Sequence, residues 1–455
     1  MIRRFIRKVF GKKAAPGPRI LAQDAHGIRR DLIHPCALKT CRTLYDAGYA
    51  AFVVGGAVRD LLLGREPKDF DVATDATPDE IRRLFRRSRV IGRRFQIVHV
   101  YCGADTIEVT TFRAGAPSAE ADEDDADHVT GEGGMLLRDN VFGNQEEDAA
   151  RRDFTVNALY YDPENEEVWD LHGGVEDAKR KVLRMIGDPE QRYREDPVRM
   201  LRAARFAAKL EFHIDPATRA PIACLAPMLA HIPTARLFDE MMKLLLSGHA
   251  ERGVRQLRAE GLHHGILPML DTVLDDPARQ KFLHHALHDT DLRVRQGHSA
   301  SPAFMLACLL WFDFQAEFSR NKERGQHLQS ALFDAMDTVL ERQRDVLAFP
   351  RRFDGTIKEI WGMQGRLEQR SGNRPFRLMQ HPRFRAAYDF LLIRAESGDA
   401  PAELAEWWTR FQDAEDSERE AMLIQPGAGE GAKRKCRRKP HKSEDGAGPV
   451  EVILG

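Results

Sequence analysis

Asp69 and Asp71 stand one residue apart in "GREPKDFDVAT", residues 64–74. On an extended strand, positions i and i+2 face the same way, which sets the two carboxylates within about 7 Å of each other. Like charges that close raise each other's pKa unless a cation neutralises them. A D-x-D can also be a solvated loop or an edge strand. Here the aspartates flank Phe70 and run into "VAT", so the segment reads as half-buried and a divalent metal is the economical neutraliser. Oxygen-only ligands favour Mg²⁺ over Zn²⁺. Upstream, Gly55 and Gly56 end an apolar strand and begin a helix. Without Cβ atoms their N–H groups can approach a phosphate, and the helix N-terminus adds partial positive charge. A lone Gly-Gly is often a plain turn. Followed by Arg59, Asp60 and then the D-x-D, it sets a phosphate cradle beside a metal site, the combination that nucleotidyl transfer needs.

Three further groups extend this constellation. Glu108 in "TIEVTTFR" sits mid-strand where an apolar residue is normal, which marks it as a third acid, although edge strands also carry glutamates. In "RRDFTVNALYYD", Asp153 either caps the next element or, with Arg152, grips the sugar and phosphates of a nucleotide. In "YREDPVRMLRAARFAAKL", a helix starting near Pro197 carries Arg199, Arg202 and Arg205, with Asp196 just before it. Surface pairing along a charged helix would explain some of these. Together with Arg194 they exceed what one solvated face requires, so an anion or a base edge fits better, with Asp196 and Arg199 reading the base.

Short β runs alternating with helical stretches must position these residues. "YAAFVVGG", "KDFDVAT", "FQIVHVYC" and "TIEVTTFR" read as strands, and "GAVRDLLLG" and "TPDEIRRLFRR" as helices. Thr77 and Glu80 form a capping-box pattern with Pro78 at the first helical position. Residues 114–135, acidic and Gly-rich, read as a mobile loop or disordered insertion. After about residue 185 the strands give way to helical periodicity. The fold class is α+β: a head with a small mixed sheet, then an all-helical neck and body. The expected divisions are a basic extension at 1–27, a head at 28–182, a neck at 183–250, a body at 251–420 and a disordered basic tail at 421–455.

Charge nearly balances, with 69 Lys and Arg against 70 Asp and Glu, so only local charge can speak for an anionic partner. Residues 433–442 hold seven Lys or Arg, enough to hold a polyanion. The first residues, "MIRRFIRKVFGKK", form a basic amphipathic pattern that could lie on an anionic membrane or on RNA, or do nothing specific. Six scattered cysteines without metal-ligand spacing suit buried thiols in a reducing cytosol rather than a disulfide scaffold. "HDTD" at 288–291 has no matching His-Asp set downstream and reads as helix surface. No apolar run reaches the roughly 18 residues of a spanning helix.

The blocks "GGAVRDLLLGREPKDFDVAT", "RRDFTVNAL" and "EDPVRMLRAARFAAKL" together resemble the signature of the class II nucleotidyltransferases, the family of bacterial poly(A) polymerases and tRNA CCA-adding enzymes. "VIGRRFQIVHV", with Arg93 and Arg94, is similar to the segment that marks the poly(A) branch. The resemblance covers about residues 25–415. It implies a polynucleotide adenylyltransferase that adds AMP from ATP to RNA 3′ ends and so marks RNA for processing or decay. It implies two Mg²⁺ ions (Mn²⁺ as substitute) on Asp69 and Asp71. It also implies triphosphate contacts from Gly55, Gly56 and Arg59, sugar contacts from Arg152 and Asp153, and base contacts from Asp196 and Arg199. The partners it implies are RNA 3′ ends, ATP and RNA-decay proteins. The setting is a cytoplasmic monomer, with residues 1–13 available to a membrane. A CCA-adding enzyme and an inactive RNA-binding module of the same fold are the competing readings. Arg and aromatic residues interleave in "RRFDGTIKEIW" and "HPRFRAAYDF", forming either an RNA surface or core packing. Deleting residues 430–455 is expected to weaken RNA binding and flatten its salt dependence, measured by anisotropy titrations at several salt concentrations. Unchanged affinity would contradict it.

Overall fold

β-branched and aromatic residues in short runs between turn signals build the first half of the chain. The computed structural model describes residues 19–92, 96–114, 141–263 and 276–424, and, by backbone alone, 128–130 and 136–139. The strands are β1 (Arg19–Leu21), β2 (Ala51–Val54), β3 (Asp71–Thr74), β4 (Ser88–Ile91), β5 (Ile97–Cys102), β6 (Asp105–Thr111), β7 (His128–Thr130), β8 (Leu136–Asp139), β9 (Leu159–Asp162) and β10 (Glu167–Asp170). Eight of them form one sheet in the order β1-β10-β9-β2-β3-β6-β5-β4, and β7 and β8 pair separately. The sheet is mixed, as expected: β3 and β6 run parallel while the other neighbours run antiparallel.

One face of the sheet buries Val53, Val72, Val98, Val100, Ile107 and Val109. Helices α1 (Pro35–Asp46), α2 (Gly56–Leu62) and α3 (Pro78–Leu84) contribute Ala37, Leu44, Val58 and Ile81 to that core. The capping box at Thr77 and Glu80 forms in both directions and starts α3. The other face is covered only in part, by Phe52, Val54, Ala73, Phe112 and Tyr160 packed with Ala149 and Ile186. Ala149 belongs to α4 (Gln145–Arg151).

Beyond α5 (Gly174–Arg180) the chain turns helical. Helices α6 (Pro189–Glu195), α7 (Val198–Leu210), α8 (Thr234–Leu245), α9 (Ala250–Ala259) and α10 (Pro277–Arg295) follow. The largest core joins the two halves, because Phe154, Val156 and Met185 pack with Leu201, Phe206 and Leu237 and onward to Trp361. The Phe154 and Phe206 rings meet edge to face at 5.9 Å. A separate C-terminal cluster gathers around Trp408 and Phe411.

Several expectations need correction. The stretch 114–135 contains strand β7, because its end pairs with β8 beyond the acidic run. One two-residue strand, His213–Ile214, lies past residue 185 and pairs with Val182–Leu183. Cys36 and Cys102 form a disulfide with Cα atoms 6.0 Å apart. They are 66 residues apart in sequence, and only the packing of the α1 start against the β5 end brings them together. Cys41 and Cys308 are buried thiols, whereas Cys224 is exposed. In "HDTD", Asp291 is buried, and its carboxylate accepts the Ala250 and Glu251 N–H groups at the start of α9. The extension 1–13, Arg93 and Arg94, and residues 425–455 of the tail lie outside the described residues. Among the described residues no helix is long and apolar enough to cross a membrane.

Candidate active site

Gly55 follows β2 with φ +71°, a conformation that favours glycine, and its N–H donates to the Leu159 carbonyl. A Cβ there would stand 3.3 Å from Arg152 Nη1 and 3.5 Å from the Asn157 carbonyl. At Gly56 a Cβ would meet Arg59 Nη2 at 3.5 Å. Two bare backbone positions therefore lie against two guanidiniums, an arrangement that could receive an anion.

Across this corner, β3 begins at Asp71, while Asp69 is exposed just before the strand rather than within it. Register places Asp71 directly opposite Glu108 on β6. Burial, together with the charges of Glu108 and Asp69, pushes the Asp71 carboxyl up to about 6, and only Arg152 pulls it back. The three carboxylates Asp69, Asp71 and Glu108 thus repel one another and offer oxygen ligands. Among the described residues no three His, Cys, Asp or Glu side chains close around one point as a metal centre.

The basic side of the site is anchored from within. Asp148, buried on α4, accepts from Arg152 Nε and Nη2 at 3.2 and 3.0 Å and from the Tyr160 hydroxyl at 2.7 Å. Burial works against the Arg152 charge, but Tyr160 and Asp148 outweigh it and raise its pKa. Arg59 is buried, with Nε and Nη2 on Asp60 and Nη1 on the Asn157 side chain. Asn157 also donates to Asp153 at 3.1 Å. Asp153 takes the Phe154 N–H at 2.8 Å and two bonds from Arg202 on α7, at 2.9 and 2.6 Å. Burial alone would raise the Asp153 pKa, yet Arg202 and these donors hold it at about 2.

The arginines expected to await a ligand have carboxylate partners inside the protein. Arg194 pairs with Glu190, Arg199 with Glu195, Arg202 with Asp153 and Arg205 with Glu240. Arg59, Arg202 and Arg205 also crowd the Phe206 ring at 5.7, 5.3 and 4.3 Å. Asp196 and Arg199 do not pair with each other: Asp196 accepts from the Val198 N–H at the start of α7 at 3.3 Å and from Arg236 on α8 at 3.0 Å. Asp148, Asn157, Tyr160 and Arg236 were not singled out from sequence. Only Asp148 had a legible signal, four residues before Arg152 on one helix face.

Comparison with known proteins places this fold. The Poly A polymerase head domain matches residues 51–184, the probable RNA and SrmB-binding site of polymerase A matches 211–274, and the polymerase A arginine-rich C-terminus matches 324–443. The CCA-adding enzyme of Bacillus stearothermophilus, solved with CTP, superposes with a TM-score of 0.56 at 28% identity, covering 83% of this chain and 82% of that one. The Thermotoga maritima CCA-adding enzyme complexed with tRNA shares the fold at 18% identity, with a TM-score of 0.56 over 90% of this chain and 91% of that one. The fold and the matched head domain define a nucleotidyltransferase of the class shared by CCA-adding enzymes and poly(A) polymerases, enzymes that are metal-dependent. The Poly(A) polymerase I of Salmonella typhimurium is 43% identical over 96% of this chain and 97% of its own length, and that of Haemophilus influenzae is 44% identical over 85% and 86%. The chain belongs to the poly(A) polymerase I family.

The low folded-state pKa of Asp153 fixes a pH window. Its unfolded value is about 3.9, so the carboxylate contributes stability above about pH 4 that is lost as pH falls toward 2, on the order of 2 kcal/mol. Asp153→Asn is expected to flatten the acid limb of stability measured by denaturant melts across that window. An acid limb identical to that of the parent protein would contradict it.

Proposed function

We propose that the chain is a template-independent polynucleotide adenylyltransferase, adding AMP from ATP to RNA 3′ ends with release of pyrophosphate. The observation that carries this reading is the opposition of Asp71 and Glu108 on the open sheet face, beside the glycine corner and Arg152. Oxygen-only donors with uncompensated negative charge fit Mg²⁺, with Mn²⁺ as substitute, held by Asp69 and Asp71. Such an ion, when bound, supplies charge neutralisation at the triphosphate and at the attacking hydroxyl.

The chain's own residues do the positioning. Gly55 and Gly56 let the triphosphate approach the backbone, and Arg59 and Arg152 give that corner its positive charge. Asp153, fixed by Arg202, faces the sugar. Glu108 is the third acid of the centre. Asp196 accepts from the exocyclic amine of the base and Arg199 donates to the adjacent ring nitrogen. The hydroxyl attacks the α-phosphorus in line, and held geometry supplies much of the rate. The reading sets the enzyme in the cytoplasm among proteins of RNA decay.

Adenine and cytosine each present an amine donor beside a ring-nitrogen acceptor, so an Asp and Arg pair does not by itself choose between them. The extent of similarity favours adenylation. The CCA-adding enzyme of Lactobacillus helveticus, 40% identical, aligns with only 48% of this chain and 51% of its own length. The poly(A) polymerase relative from Salmonella typhimurium aligns with 96% of it.

Asp69→Ala and Asp71→Ala are each expected to lower AMP incorporation by about 10³-fold or more, while RNA binding and the thermal midpoint hold. Incorporation of labelled AMP into a short RNA checks this, and activity retained in either variant would overturn the assignment.

A further inference from the structure

The sheet register carries the acidic row farther than the catalytic centre. Asp71 lies opposite Glu108, Glu108 opposite His99 on β5, and His99 opposite Arg89 on β4. Directly opposed residues share a face, so the four side chains form one line on the open side of the sheet. His99 Nε2 stands 3.4 Å from Glu108 Oε1, in keeping with that line. With strands about 4.8 Å apart, Arg89 lies roughly 14 Å from Asp71, a few nucleotide steps away.

The adjoining row adds an aromatic. Tyr101 sits opposite Thr106 on β6, and its N–H donates to the Arg87 carbonyl at 2.9 Å, continuing the ladder past the start of β4. Alternation then sets Arg87 beside Arg89 on the open face. Val90 points the other way, into the core under α3. Tyr101 is 36% exposed and Ile91 40%, so nothing described packs over this end of the sheet.

The charge here differs from that of the neck. The neck arginines each meet a carboxylate, whereas Arg86, Arg87 and Arg89 are exposed and form no ion pair among the described residues. An exposed aromatic on a strand, flanked by unneutralised arginines, is a surface on which bases stack and phosphates are held.

We propose that Tyr101, Arg87 and Arg89 form the track for the RNA nucleotides just upstream of the 3′ end, leading the terminal hydroxyl along the row to Asp71. This rests on the adenylyltransferase reading above. It assigns the primer strand to the β4–β5 edge of the head, where no part of that reading had put RNA.

The test uses the full chain and a labelled single-stranded oligoadenylate, read by anisotropy and by steady-state extension. The double variant Arg87→Glu/Arg89→Glu is expected to raise the Kd and KM for RNA about ten-fold or more and to lower the salt slope by about two, while the KM for ATP holds. Tyr101→Ala is expected to weaken RNA binding roughly five-fold or more, and Tyr101→Phe to restore it. All three positions are exposed, and equal thermal midpoints establish that the variants are folded. RNA affinity and salt slope unchanged in both the double variant and Tyr101→Ala would overturn the proposal, leaving the patch to an acidic protein surface. A KM for ATP that rises together with the KM for RNA would also overturn it, since the row would then be structural. Failure of the parent protein to add AMP while it still binds RNA would count against the adenylyltransferase reading and not against this track.

Discussion

The parallel register of β3 against β6 is the constraint on which the site depends. It sets Asp71 opposite Glu108 and, one step on, Val72 opposite Val109. Strand side chains alternate between faces, so a one-residue slip of β3 would send Asp71 into the apolar core, away from Glu108, and Val72 to the open face. Val72, Val98 and Val109 pack there together under α1, α2 and α3 and hold the register against that slip. The hydrophobic face thus fixes where the acids point. Burial and the charges of Glu108 and Asp69 then raise the Asp71 carboxyl to about 6.

Positive charge is managed by a different rule. Around the glycine corner and through the neck, arginines are held by carboxylates of the chain itself: Arg152 by Asp148, Arg202 by Asp153, Arg205 by Glu240 and Arg236 by Asp196. These pairs fix geometry across element boundaries. The Arg202 to Asp153 pair ties neck helix α7 to the head, and two pairs tie the Asp196–α7 segment to α8. A buried pair such as Arg205 with Glu240 adds little net stability, but removing one partner would leave a buried charge unpaired, which is costly. At the outer sheet edge, by contrast, Arg86, Arg87 and Arg89 are exposed and form no ion pair among the described residues.

Much of this was legible from local pattern. The D-x-D, the Gly-Gly corner, the capping box at Thr77 and the mid-strand Glu108 are short-range features, and each took its expected element, apart from Asp69, which precedes its strand. What the pattern missed is long-range. Arg205 and Glu240 are 35 residues apart, Arg236 and Asp196 40, and Arg202 and Asp153 49, so a count of arginines looked like surplus charge awaiting a ligand. The Cys36 to Cys102 bond and the burial of Asp291 escaped for the same reason, since neither has a spacing motif and both arise from packing. The row from Asp71 to Arg89 depends on strand order, which alternation alone does not give.

The choice between adenine and cytosine is the point on which the assignment turns, because the acids and glycines serve either base equally well. Purified full-length protein, Mg²⁺ and a generic single-stranded RNA, offered one nucleoside triphosphate at a time, tests it most directly. The expected result is long homopolymer tails with ATP alone and little extension with CTP, GTP or UTP. Little extension with ATP alone, with C-C-A addition instead to a tRNA lacking its 3′ CCA when CTP and ATP are supplied together in a parallel reaction, would contradict it.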